Sequence, residues 1–138
     1  MKSKYILAAI LALCIVALAG VSPAFAVNYS SYLEINNTPS GLVIFTFSTH
    51  TDYGDYDGRD IDTIEVSYYL VDGGATTEYP VEPTVKIFTP NRVMLIFKNV
   101  EFPVSADPSD DFTYVSGVLT TGEVFDAYGP GFGWANIH

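Results

Sequence analysis

Leu42–Ser48 reads L-V-I-F-T-F-S, seven residues dominated by β-branched and aromatic side chains. A run this short suits a strand better than a helix. Its apolar residues fall at first on both sides of the pleat, as in the middle of a sheet. Arg92–Lys98 repeats the pattern, with Val93, Leu95 and Phe97 opposing Met94 and Ile96. Pro90-Asn91 is a turn signal that joins Thr84–Thr89 to this strand as a hairpin. Ile64–Val71 alternates in period two and is followed by Asp72-Gly73-Gly74, where glycine accepts positive φ without steric cost. Phe112–Thr120 and Glu123–Asp126 surround Thr121-Gly122 as a second hairpin. Pro80 and Pro83 bracket a segment unsuited to the inside of a sheet. Tyr29–Asn36 alternates weakly, as an edge strand or an N-terminal arm would. The expectation is a single all-β domain, a β-sandwich or jelly-roll-like fold of about seven short antiparallel strands.

The first 26 residues read as an address. Lys2 and Lys4 precede the apolar run Tyr5–Val21, and Pro23-Ala24-Phe25-Ala26 supplies small residues for signal-peptidase cleavage after Ala26. A retained membrane anchor is the rival reading. Cleavage makes 27–138 a secreted domain of 112 residues with no cysteine, since Cys14 lies in the leader. It keeps all sixteen acidic residues but only four basic ones. That balance excludes the clustered Lys and Arg that nucleic acid or an anionic membrane surface requires. An aromatic content of 14% is too high for a disordered chain and favours strands.

Thr51–Asp62 (T-D-Y-G-D-Y-D-G-R-D-I-D) sets Asp52, Asp55, Asp57, Asp60 and Asp62 between two strand-like segments. Calcium takes oxygen ligands gathered by a tightly turning loop, which Asp57-Gly58 would allow. An EF-hand is excluded, because Tyr53 and Ile64 would stand where acids are required. The alternative is a solvated loop eased by Arg59, since exposed acids repel by only about 1 kcal/mol at contact in water. Asp110 and Asp111 complete the metal-ligand set if their loop lies at the same end of the domain. Two histidines and no mature cysteine argue against transition metals. His50 with Asp52 would be two-thirds of a triad, but no nucleophile motif accompanies them. The chain is read as a non-enzyme.

Asn28 and Asn36 open N-glycosylation sequons. Tyr128, Phe132 and Trp134, with Tyr114, are candidates for an aromatic platform that stacks on glycans or contacts another subunit. Alternatively, Phe132 and Trp134 cap the core. The C-terminal segment, or the arm 27–37, could add as a strand to a neighbour. Only two lysines remain in the mature domain to guard its edges.

Ser116-Gly117, Leu119, Gly122 and Phe125, within Thr113–Tyr128, resemble the closing hairpin of β-sandwich modules common in secreted prokaryotic proteins. The whole mature segment (an acidic, tyrosine-rich, cysteine-free β-domain behind a leader) is similar to the major sheath proteins of filamentous methanogenic archaea, with S-layer and archaeal filament subunits as neighbours. That resemblance implies a structural subunit at the cell surface that binds copies of itself through β-strands, with calcium bridging its aspartate loops. A monomeric secreted carbohydrate-binding module is the alternative.

Overall fold

The computed structural model describes residues 28–133; the expected leader, Trp134 and His138 lie outside them. Eleven strands are present among the described residues: β1 (Asn28–Tyr32), β2 (Glu34–Asn37), β3 (Leu42–Ser48), β4 (His50–Thr51), β5 (Gly54–Asp55), β6 (Ile61–Asp72), β7 (Ala75–Val81), β8 (Val85–Phe88), β9 (Arg92–Lys98), β10 (Phe112–Leu119) and β11 (Val124–Pro130). A five-stranded sheet has the order β1-β11-β10-β6-β7, and a four-stranded sheet the order β2-β3-β9-β8. β4 and β5 form a separate small ribbon. Among the described residues, only β1 on β11 is parallel. The expected all-β class is what the chain adopts, with more strands than the sequence suggested and with β6 and β11 longer than expected.

β3 and β9 are the central strands of the four-stranded sheet, as their apolar patterns suggested, and their second apolar side faces outward. Phe45, Phe47, Val93, Leu95 and Phe97 point inward and meet Val66, Tyr68, Val115, Phe125 and Ala127 of the larger sheet. An aromatic plug closes each end of this core. At one end Tyr56 packs between Tyr29 and Phe125, at ring separations of 4.9 and 5.5 Å. At the other, Phe102 meets Phe45, Tyr68 and Phe97 at 5.4–5.6 Å and stacks on Phe132.

The N-terminal segment is one strand shared by both sheets. Asn28–Tyr32 pairs with β11; the chain then crosses at fully buried Leu33 and continues as β2 beside β3. The Leu33 amide donates to the Tyr128 carbonyl at 2.7 Å. A side chain at Gly129 would strike the Leu33 backbone and Cβ, so glycine there permits the crossing. The arm is therefore already paired within its own chain. Pro80 sits in β7, at the edge of the larger sheet, where a missing N–H is tolerated.

Candidate functional site and interaction faces

The aspartate stretch is docked on the sandwich by its uncharged residues. Tyr56 is buried in the core, and Gly58 lies so close to the Thr89 carbonyl that a Cβ would collide with it. Buried Thr49 holds the neighbouring turn, donating through its hydroxyl to the Pro90 carbonyl at 2.8 Å and through its amide to Asn91. Asp57 caps a short 3-10 turn (Gly58–Asp60), accepting from the Arg59 amide at 2.8 Å, and forms a two-pronged ion pair with the Arg59 guanidinium. That guanidinium holds the Asp57 carboxyl below its usual range. Asp55 pairs with His50 Nδ1 at 2.9 Å, while His50 Nε2 faces Asn91 Oδ1 at 3.2 Å. These partners raise the His50 pKa, the Asp55 hydrogen bond most. His50 thus has Asp55 as its partner rather than Asp52. Asp52, Asp60 and Asp62 are exposed.

Asp110 and Asp111 do not join this stretch. Asp111 fixes the Val71 end of β6, whereas the aspartate stretch leads into Ile61 at its other end. Ten residues of strand separate those ends, about 33 Å. Asp111 is only 1% exposed, and Val71 N–H, Ser105 N–H and the Ser105 hydroxyl all donate to it at 2.8–3.1 Å. Its carboxylate braces the loop 103–111 against β6. No three His, Cys, Asp or Glu side chains gather as a metal-holding group among the described residues.

The outer face of the five-stranded sheet is a tyrosine surface. Register places Ser67, Tyr114, Tyr128 and Tyr32 in one row, with Glu78, Tyr69 and Phe112 in the next. Tyr114 and Tyr128 lie 4.8 Å apart, and Tyr69 stacks on Phe112 at 4.4 Å. Tyr32, at the β1 edge, is 69% exposed. A third row holds Glu65, Ser116, Asp126 and Ser30. Asp126 is nearly buried and accepts from the Ser30 hydroxyl at 2.6 Å and the Tyr114 hydroxyl at 3.3 Å. Burial and the Asp126 charge push Tyr128 up to about 12 and raise Tyr114 as well, so these tyrosine hydroxyls keep their protons at neutral pH.

Phe132 does not belong to that platform. It packs against the core through Phe102, and its amide donates to the Tyr68 hydroxyl at 3.1 Å. The core-capping alternative holds for Phe132, and Tyr128 instead keeps company with Tyr114 and Tyr32. Trp134 lies outside the described residues.

The outer face of the four-stranded sheet is aliphatic. Asn36, Ile44, Ile96 and Val85 form one row and Glu34, Thr46, Met94 and Ile87 the next, with Arg92 and Lys98 at the two ends of β9. Ile87 is 40% exposed. An open groove of about 690 Å³ runs over this face and along the β1–β2 side, bounded by Tyr32, Glu34, Ile44, Thr46, Arg92 and Met94. Asn36 is exposed at its margin; for the Asn28 sequon only the backbone, in β1, is described.

Edge guards are unevenly spread. Lys86 occupies an inward register position on edge strand β8, and β7 carries Pro80 and Glu78; both are recognised protections against edge pairing. β1 and β2, on the opposite side, contain neither lysine nor proline, and Glu34 is their one charged residue.

Comparison with known proteins returns no matching family model, no matching curated protein and no matching solved structure.

Proposed function

We propose that this chain is a structural subunit of an extracellular or cell-envelope assembly, a sheath, surface layer or filament that it builds by binding copies of itself through its β-sheets. The observation that carries the reading is the character of the outer faces. An antiparallel sandwich in water keeps its outward positions polar, yet here one face is rich in tyrosine and the other in Ile, Met and Val. Strand pairing between subunits would use the β1–β2 side, whose edges lack lysine and proline. Calcium belongs to the same proposal as a bridge between subunits. The exposed Asp52, Asp60 and Asp62 of one copy would meet carboxylates of the next, because no complete ligand group forms within one subunit among the described residues.

Sedimentation of the full chain across a concentration series, with calcium and with chelator, tests this. Concentration-dependent growth into large species supports it, and loss of those species on chelation assigns the bridge to calcium. A monomer in every condition contradicts it.

One observation favours a second reading. The tyrosine row Tyr114–Tyr128–Tyr32 beside the groove is a surface on which sugar rings could stack. A monomer whose intrinsic fluorescence shifts on titration with polysaccharides would replace the structural proposal with this one.

A further inference from the structure

Charge in this sandwich is sorted by sheet. The strands of the five-stranded sheet carry Asp62, Glu65, Asp72, Glu78 and Asp126 and neither lysine nor arginine. Those of the four-stranded sheet carry Lys86, Arg92 and Lys98 against the single acid Glu34. Facing outward are Glu65, Glu78 and Asp126 on the larger sheet and Arg92 and Lys98 with Glu34 on the smaller, while Lys86 takes an inward register position. Each sheet's outer surface also exposes its own class of apolar side chain, tyrosine on the acidic one and aliphatic on the basic one.

From this pairing of charge and shape we infer that subunits stack face to face and head to tail, the Arg92/Lys98 face of one copy lying on the Glu65/Glu78 face of the next. The inference rests on the structural-subunit reading and specifies its interface. Like faces would bring like charges together, so a closed two-fold dimer through either face is disfavoured, and a heterologous contact leaves a free face at each end. Repetition then gives an open stack rather than a closed pair. Two strands of seven residues and two of four, at about 3.3 Å per residue and about 4.8 Å per strand, make a face of about 350 Å², or roughly 700 Å² for both partners. That falls below the roughly 1,000 Å² expected of an interface that holds an isolated pair, so the contact is a weak one that gains strength by repetition along a polymer. With sheets about 10 Å apart both within and between subunits, the stack should rise by about 20 Å per subunit.

Charge-swapped full chains test the inference. One variant carries Glu65→Lys and Glu78→Lys, the other Arg92→Glu and Lys98→Glu; all four side chains are exposed, and circular dichroism checks that both variants fold. Each variant alone should show at least a tenfold higher critical concentration for assembly, because both its faces then carry the same sign. An equimolar mixture should return to the wild-type value, because each variant's faces complement those of the other. Wild-type polymers unaffected by either pair of swaps would overturn face stacking while leaving the structural reading intact, with edge pairing as the contact. Two inactive variants that do not rescue each other would overturn it as well. A wild type that never assembles defeats the structural reading itself. Scattering from wild-type assemblies supplies a readout without variants: an axial repeat near 20 Å is expected, and its absence counts against stacking.

Discussion

Replacing Asp111 by alanine should be among the most damaging single changes to a charged residue in this domain. Its carboxylate receives two backbone N–H groups, from Val71 and Ser105, at 3.0 and 3.1 Å, plus the Ser105 hydroxyl at 2.8 Å. The hydroxyl can turn to water, but the two amides lose their acceptor at a site only 1% exposed. Each orphaned buried donor costs about 1–3 kcal/mol, so Asp111→Ala should destabilise by about 4 kcal/mol. A domain typically holds about 5–15 kcal/mol in all, which makes this a large share. Asp111→Asn keeps one carbonyl oxygen and should cost about half as much. With a urea slope of about 1.5 kcal/mol/M, the alanine variant's midpoint should fall by roughly 2.5 M with the slope unchanged. A fall under about 0.5 M, or equal effects for alanine and asparagine, would refute the bracing role. Chelator shifting the wild type as far as the alanine substitution would show instead that Asp111 acts through a metal.

Three further changes probe other parts of the fold. The buried Tyr56 hydroxyl has no hydrogen-bond partner among the described residues, so Tyr56→Phe should leave stability unchanged or raise it by up to about 1 kcal/mol; a loss above that in urea denaturation would reveal a hidden partner. A methyl group at Gly117 would collide with the Thr63 carbonyl and the Phe125 ring, so Gly117→Ala should cost roughly 2–3 kcal/mol, and an unchanged midpoint would contradict the packing. His50 should titrate above its ordinary 6.5 in an NMR pH series, and Asp55→Asn should bring it down. Because the folded pKa is the raised one, the pairing supports the β4–β5 ribbon fully below about 6.5 and fades as pH rises through the folded value. A titration indifferent to Asp55→Asn would remove the ion pair from the account.

The elements legible in the sequence were those whose pattern is local. Turn residues and alternation placed the β8–β9 and β10–β11 hairpins, and two-sided apolarity marked β3 and β9 as central. What escaped depends on partners distant in the chain. Tyr56 reads as one residue of an acidic loop, yet it fills the core beside Phe125, and nothing local separates it from Tyr53 of the same loop, which is exposed. Asp111 reads as a loop carboxylate paired with Asp110, and only the fold brings Val71 to it. The two acidic clusters fall at opposite ends because β6, read as Ile64–Val71, runs the full twelve residues from Ile61 to Asp72 between them. Charge segregation was invisible for the same reason. Glu65, Ser116 and Asp126 become one row only once β6, β10 and β11 are neighbours.

Negative-stain electron microscopy of the full chain, expressed in an exporting host and imaged with about millimolar calcium and with chelator, tests the central claim most directly. The account predicts ordered stacks, sheets or tubes whose building unit is the whole sandwich, with chelator deciding only whether calcium helps to hold them. Uniform single particles of monomer size in both conditions would contradict it.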